Sequence, residues 1–248
     1  MLEVQNLAVN YRNQKGLDSV SFRIESGQLV GLIGPNGAGK STMLKAMLGL
    51  IPAVSGAVRY CNCPLHQQLH KVAYIPQRSQ IDWDYPITVW NVSMMARTRS
   101  LGWFRSPNRA AVRIVKASLE RVGMLELRHR RIGELSGGQQ QRVFLARALA
   151  QQAEVFLLDE PFTGVDKKTE GILLEIFSEL RSQGKILLAS SHDWGQSLSQ
   201  LDRLLLLNRS VIADGSPECV MTSENLQRAY GSGLHGALSP DGDTLFCC

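Results

Sequence analysis

The chain is predicted to be an α/β protein: a mostly parallel sheet, an antiparallel β part at the N-terminus, and a helical subdomain inserted into the core. Three observations predict this. Apolar runs of strand length (Leu29–Ile33, Val155–Leu158, Leu204–Leu207) alternate with stretches of helical periodicity. Residues 2–9 and 17–24 alternate with a period of two on either side of the polar turn Asn13-Gln14-Lys15-Gly16, as a hairpin does. From about residue 88 to 150 no strand-like run occurs, so this stretch reads as the helical insertion.

The elements follow in order. Leu29-Val30-Gly31-Leu32-Ile33 is apolar on both faces, as a strand covered on both sides must be. It feeds a glycine-rich loop, after which Met43, Leu44, Met47 and Leu48 recur at helical spacing. Ser106-Pro107 reads as an N-cap with proline at the first helical position. Beyond it Val112, Val115, Leu119 and Val122 mark an inner face, with Arg113, Lys116, Glu120 and Arg121 outside. A helix is expected after Gly138, burying Val143, Leu145, Ala146 and Leu149. Strand Val155–Leu158, a helix over 167–183 stopped by Gly184, and strands Ile186–Ala189 and Leu204–Leu207 complete the core. One domain is expected over residues 1–230, and 231–248 lose periodicity as a peripheral tail.

The 248 residues are enough for one large domain or two small ones. With 44% hydrophobic and 20% charged residues and no low-complexity tract, the chain is globular rather than disordered. A net charge of +5 and a pI near 9.1 suit nucleic acid, a membrane surface or nucleotide phosphates alike, and do not choose among them. The opening MLEVQNLAVNY lacks the pattern of a signal peptide, and no run approaches the ~20 apolar residues of a membrane span. Five cysteines, an odd number, point to reduced thiols, so a soluble intracellular protein is expected.

Gly34-Pro35-Asn36-Gly37-Ala38-Gly39-Lys40-Ser41, followed by Thr42, matches the phosphate-loop pattern GxxxxGK[ST] in full. Glycines let the backbone wrap phosphate oxygens with inward N–H groups, and the next helix adds the positive end of its dipole. Lys40 would reach the β- and γ-phosphates, and the Ser41 hydroxyl would ligate Mg²⁺. A second element, Val155-Phe156-Leu157-Leu158-Asp159-Glu160-Pro161, is an apolar strand ending in acids at the mouth of the sheet. Asp159 suits Mg²⁺, directly or through water, and Glu160 is placed as general base for the attacking water. A strand running into a polar turn also explains these acids without chemistry.

Leu135-Ser136-Gly137-Gly138-Gln139, ahead of that strand, resembles the LSGGQ signature of ATP-binding cassette (ABC) ATPases, a branch of the P-loop NTPases. At a helix start, Ser136 and the glycine amides would form an anion site. In that family the signature faces the γ-phosphate held by a second subunit, so the resemblance implies a homodimer with ATP and Mg²⁺ bound. It further implies that Tyr11 stacks on adenine and that Gln77 touches Mg²⁺ and the attacking water. Gly164-Val165-Asp166 would be the D-loop and His192 the switch histidine. Asp166 also reads as a helix cap, and both readings stand together. The absence of an NKxD motif favours ATP over GTP.

Long coiled coils, zinc-bearing insertions and a second cassette are absent, so the resemblance implies a separate ATPase subunit of a membrane importer rather than a soluble ATPase acting on nucleic acid or ribosomes. No direct nucleic-acid contact is expected. The expected partners are polytopic permease subunits and an extracytoplasmic metal-binding protein, with the ATPase peripheral on the cytoplasmic face of the inner membrane. The stretch YIPQRSQIDWDYPITVWNV (74–92) follows Gln77 with Asp82, Trp83, Asp84 and Tyr85, residue types that anchor and steer interfaces. In the family this segment lies against the membrane subunit; Trp90, and to a lesser degree Trp83, also read as core residues. Its wording is similar to the manganese, zinc and chelated-iron uptake branch, manganese most closely.

Three other features of the sequence carry possible chemistry. Cys61, Cys63, His66 and His70 could supply four zinc ligands, though the spacing follows no established zinc pattern. RTRSLGWFRSPNR (97–109) is basic and aromatic, and reads as a solvated helix end ahead of a nucleic-acid or head-group contact. Cys247-Cys248 reads as an exposed tail rather than a lipidation site.

Overall fold

The computed structural model describes residues 1–11, 14–102, 106–191 and 195–231. In chain order the elements are β1 (Leu2–Tyr11), β2 (Gln14–Ile24), β3 (Leu29–Ile33), α1 (Lys40–Met47), β4 (Ser55–Tyr60), β5 (Cys63–Pro64) and β6 (Val72–Ile75). They continue with α2 (Val89–Met94), α3 (Thr98–Leu101), α4 (Arg109–Arg121), α5 (Gly137–Ala150), β7 (Val155–Asp159) and α6 (Lys167–Ser182). The chain closes with β8 (Ile186–Ser190), β9 (Arg203–Asn208), β10 (Ser210–Gly215), α7 (Pro217–Val220) and α8 (Ser223–Tyr230). The contacts gather them into two compact units: Met1–Gln68 with Ile186–Cys248, and Leu69–Lys185.

In the first unit, β1 and β2 form the expected antiparallel pair, extended across the far side of β1 by β4 and β5. Alternate residues Leu2, Val4, Leu7 and Val9 of β1 are buried, the one-sided pattern that the sequence alternation encodes. β3 lies between β8 and β9, parallel to both, with β10 antiparallel on β9. All five residues of β3 and of β8 are buried, as strands covered on both faces require.

The second unit pairs β6 with β7 in parallel and surrounds α5 with α2, α4 and α6. Val143, Leu145 and Ala146 of α5 are buried as expected, and so are Phe144 and Ala148, whereas Leu149 is half-buried. A helix packed by several neighbours loses its single-stripe pattern. The expected helical region lies in this unit, together with β6, β7 and α6.

Two expectations about α4 are corrected. Its cap is Asn108, whose side-chain oxygen accepts from Ala111 N at 2.8 Å, not Ser106 followed by proline. An Asn side chain two residues later satisfies the orphan amide directly, and this sets the start. The inner face therefore runs Ala111, Val115, Ser118, Leu119 and Val122, and Val112 is 38% exposed. Gly184, at φ +78°, ends α6 as expected. Among the described residues no helix is long and apolar enough to cross a membrane.

Candidate functional site

In the first unit the phosphate-loop pattern lies between β3 and α1. Its backbone runs against β9: a Cβ at Gly34 would sit 2.0 Å from Leu207 O, so no other residue fits. The loop is pinned at Ala38, whose carbonyl accepts from Arg209 N at 2.8 Å and whose N–H donates to Pro35 O at 3.1 Å. Lys40 is buried, and its ammonium donates to Gly34 O at 2.6 Å and Pro35 O at 3.1 Å. A buried ammonium needs oxygen partners, and the loop holds this one over its own carbonyls. Ser41 and Thr42 occupy the first turn of α1. The Tyr11 hydroxyl shares a 3.4 Å hydrogen bond with Thr42 Oγ1, and the ring, 46% exposed, offers a face for stacking.

In the second unit, strand register brings distant residues together. β6 and β7 pair Val72 with Val155 and Ile75 with Leu158. Continued two residues past the last of these pairs, the same register sets Gln77 opposite Glu160, and Gln77 Nε2 donates to Glu160 Oε2 at 2.8 Å. Thr163 Oγ1 donates to the same oxygen at 3.2 Å. Glu160 has φ +52°, a left-handed conformation uncommon for a residue with a side chain. The amide leaves Gln77 Oε1 as the acceptor-type atom of that side chain. Asp159, at the end of β7, is buried and accepts from Tyr74 OH at 3.5 Å. Burial first, then the Asp159 charge and hydrogen bond, pushes the Tyr74 phenol well above its usual range, so it stays a neutral donor.

The signature stretch opens α5 in the same unit. Leu135 is buried, Ser136 is the N-cap, and Ser136 with Gln139 forms a capping box: Gln139 N donates to Ser136 Oγ at 3.4 Å and Ser136 N donates to Gln139 Oε1 at 2.9 Å. A Cβ at Gly138 would lie 2.7 Å from Thr169 Oγ1, so glycine lets α5 approach the first turn of α6. Asp166 caps α6, accepting from Thr169 N at 2.8 Å. Hydrogen bonds from the Thr169 side chain and backbone hold its carboxyl below the usual range.

The stretch beyond Gln77 is divided in its exposure. Asp82, Asp84 and Tyr85 face solvent, with Asp84 N donating to Asp82 Oδ1 at 3.1 Å. Trp83 is half-buried: its Nε1 donates to Arg78 O at 3.0 Å, and its ring meets Phe144 edge-on at 5.6 Å. Trp90 is half-buried on α2. Among the described residues no group of three or more His, Cys, Asp or Glu could hold a metal ion, so Cys61, Cys63, His66 and His70 do not gather into a zinc site. His192, nearly all of the tail and Trp103, Phe104 and Arg105 lie outside the described residues.

Sequence reasoning missed Thr163, Thr169 and Arg78. Thr163 reaches Glu160 three residues back, but only once the turn after β7 has folded, whereas Arg78 and Thr169 meet Gln140 and Gly138 in distant segments that only the packing brings together.

The profile of the ABC transporter family matches residues 17–163. The chain is 46% identical over 242 residues to the zinc transport system ATP-binding protein TroB of Treponema pallidum, covering 98% of this chain and 91% of that one. It is 43% identical over 233 residues to the manganese transport system ATP-binding protein MntB of Bacillus subtilis, covering 94% and 93%. Manganese names recur among relatives from Listeria and Synechocystis. A solved metal-chelate type ABC transporter in an inward-facing conformation matches with a TM-score of 0.80 and 26% identity, over 92% of this chain and 88% of that one.

Proposed function

The chain belongs to the ABC transporter family as an ATP-binding subunit, and from that premise we propose that it hydrolyses ATP to drive import of a divalent metal ion, manganese foremost. The phosphate loop, Gly34 to Gly39 with Lys40, Ser41 and Thr42, holds the phosphates, and Tyr11 stacks on adenine. Glu160 takes the proton of the attacking water, and Gln77, bonded to it, holds the carboxylate in place.

Bound Mg²⁺ neutralises charge on the phosphates; it prefers hard oxygen ligands, the kind that Ser41, Asp159 and Gln77 Oε1 supply. Ser136, with the Gly137 and Gly138 amides between Leu135 and Gln139, meets the γ-phosphate bound by a second copy of the chain, with Asp166 alongside. The subunit pair works beneath polytopic permease subunits on the cytoplasmic face of the membrane, served by an extracytoplasmic metal-binding protein. Asp82, Trp83, Asp84 and Tyr85 form the docking stretch, with the exposed Asp82, Asp84 and Tyr85 as its contact face.

The observation that carries the hydrolytic reading is the 2.8 Å bond between Gln77 and Glu160. Manganese as cargo rests on the recurrence of manganese transport among the names of relatives. The test is uptake of radiolabelled manganese by cells lacking the chain, complemented with wild type or Glu160→Gln. Wild type should restore uptake and the variant should not. A deficit in zinc or chelated iron instead would replace the cargo, and no deficit in any metal would sink the importer reading.

A further inference from the structure

Arg78 follows Gln77 directly, and its side chain reaches three other segments of the second unit. Its Nε donates to Gln140 Oε1 at 3.1 Å. Its guanidinium carbon lies 5.7 Å from the centroid of the Trp83 ring, within cation–π range. A Cβ added at Gly137 would lie 3.0 Å from Arg78 Nη1 and 3.2 Å from Gly164 O, so the guanidinium packs against the first residue of α5 near the loop that leads to α6. The backbone completes the knot, because Arg78 O accepts from Trp83 Nε1 at 3.0 Å.

Gln140 makes the link rigid. It is buried, and its Nε2 donates to Ile132 O at 3.1 Å while its oxygen accepts from Arg78. Removing Arg78 would withdraw that donor from a buried amide oxygen and release the start of α5 from the turn that carries Gln77. Lysine does not replace this arrangement. A guanidinium can stack on an indole and donate in its plane together, whereas an ammonium has no plane.

We propose that Arg78 is a positioning residue of the ATPase: it fixes the Gln77 turn, the Trp83 stretch and the signature start of α5 in one mutual register. The proposal rests on the reading of the chain as an ATPase. Displacing Trp83 would then disturb Gln77 and Gly137 together, through one side chain.

The experiment uses the purified full-length chain and the variants Arg78→Lys, Arg78→Ala, Gln140→Ala and the Arg78→Ala/Gln140→Ala double. Steady-state kcat, affinity for a fluorescent ATP analogue and Tm are measured for each. Arg78→Lys and Arg78→Ala should lower kcat by about tenfold to a hundredfold, the scale of a misplaced reacting group. Analogue affinity should stay within about twofold of wild type, and the double variant should be no slower than the slower single one, as expected for residues that act as one unit. Unchanged kcat in both Arg78 variants, full activity in Arg78→Lys, or losses that merely track Tm would overturn the proposal. A wild-type protein without ATP turnover would instead defeat the ATPase reading, and the inference with it.

Discussion

Gln77 Nε2 donates to Glu160 Oε2 at 2.8 Å, joining residues 83 apart in sequence. The bond needs no special loop. It extends the register in which β6 pairs with β7, where every partner is also 83 residues away. The carboxylate proposed as general base is therefore bonded to a residue on the turn that leads to the proposed docking stretch.

Glu160→Gln removes the base but keeps the size and an acceptor oxygen for Gln77 and Thr163. Turnover should fall by about 10²-fold or more, in line with the loss of a general base, while ATP binding persists and an ATP-bound dimer accumulates. Gel filtration with and without ATP checks the dimer, and full turnover in the variant would remove Glu160 from the mechanism. Gln77→Ala should give a smaller loss of kcat with unchanged affinity for ATP.

Lys40→Met preserves the length of the side chain but removes the ammonium that donates to Gly34 O and Pro35 O. Binding of an ATP analogue should weaken by at least about tenfold, because one lost charge-assisted hydrogen bond is worth roughly 1.5–3 kcal/mol. Calorimetric titration of the folded variant reads this directly; wild-type affinity would exclude Lys40 from phosphate binding.

Gly138→Ala would place a methyl group 2.7 Å from Thr169 Oγ1, where the start of α5 meets the first turn of α6. A destabilisation of about 1–3 kcal/mol is expected for such overpacking. Thr169→Ala removes the hydroxyl while leaving the backbone N–H that Asp166 accepts, and should recover part of the loss in the double variant. Denaturant unfolding of the four proteins decides this, and simple additivity would mean the contact is not the cause.

The Asp166 carboxyl sits below its ordinary range when folded, chiefly through the hydrogen bonds from Thr169. A depressed folded value means the charged cap stabilises the protein above the ordinary carboxylate range. That contribution is lost as pH falls through the folded value. Asp166→Ala should therefore lower Tm at neutral pH, and the gap to wild type should narrow as the solution is acidified below about pH 4. A gap constant from pH 7 to pH 3 would show that the charge contributes nothing.

Much of this was legible in the chain itself. The alternation of residues 2–9, the wholly apolar run at 29–33 and the glycine stop at 184 each record a local requirement, and each folds as read. The motif residues Lys40, Asp159, Glu160 and Ser136 sit at element ends because their patterns include the element. α4 was misphased because Ser106-Pro107 and Asn108 both carry start signals, and only the hydrogen bond from Ala111 distinguishes them. β4, β5 and β10 were not anticipated: their burial is partial, so their apolar pattern is weak. Arg78 was invisible for another reason. Its role is set by Gln140 and Gly137, about sixty residues on, and no local pattern marks such a meeting.

The capping box at the head of α5 carries a directional consequence. Ser136 Oγ accepts a hydrogen bond from the Gln139 amide, which uses one lone pair and leaves the hydroxyl hydrogen to be donated elsewhere. The residue is exposed, so that hydrogen is free to rotate towards an acceptor that approaches the helix end. A phosphate oxygen arriving there can take that hydrogen together with the free amides and the positive dipole end of α5, which favour an anion over a cation. The motif that starts the helix thus also sets the sign of charge it will admit.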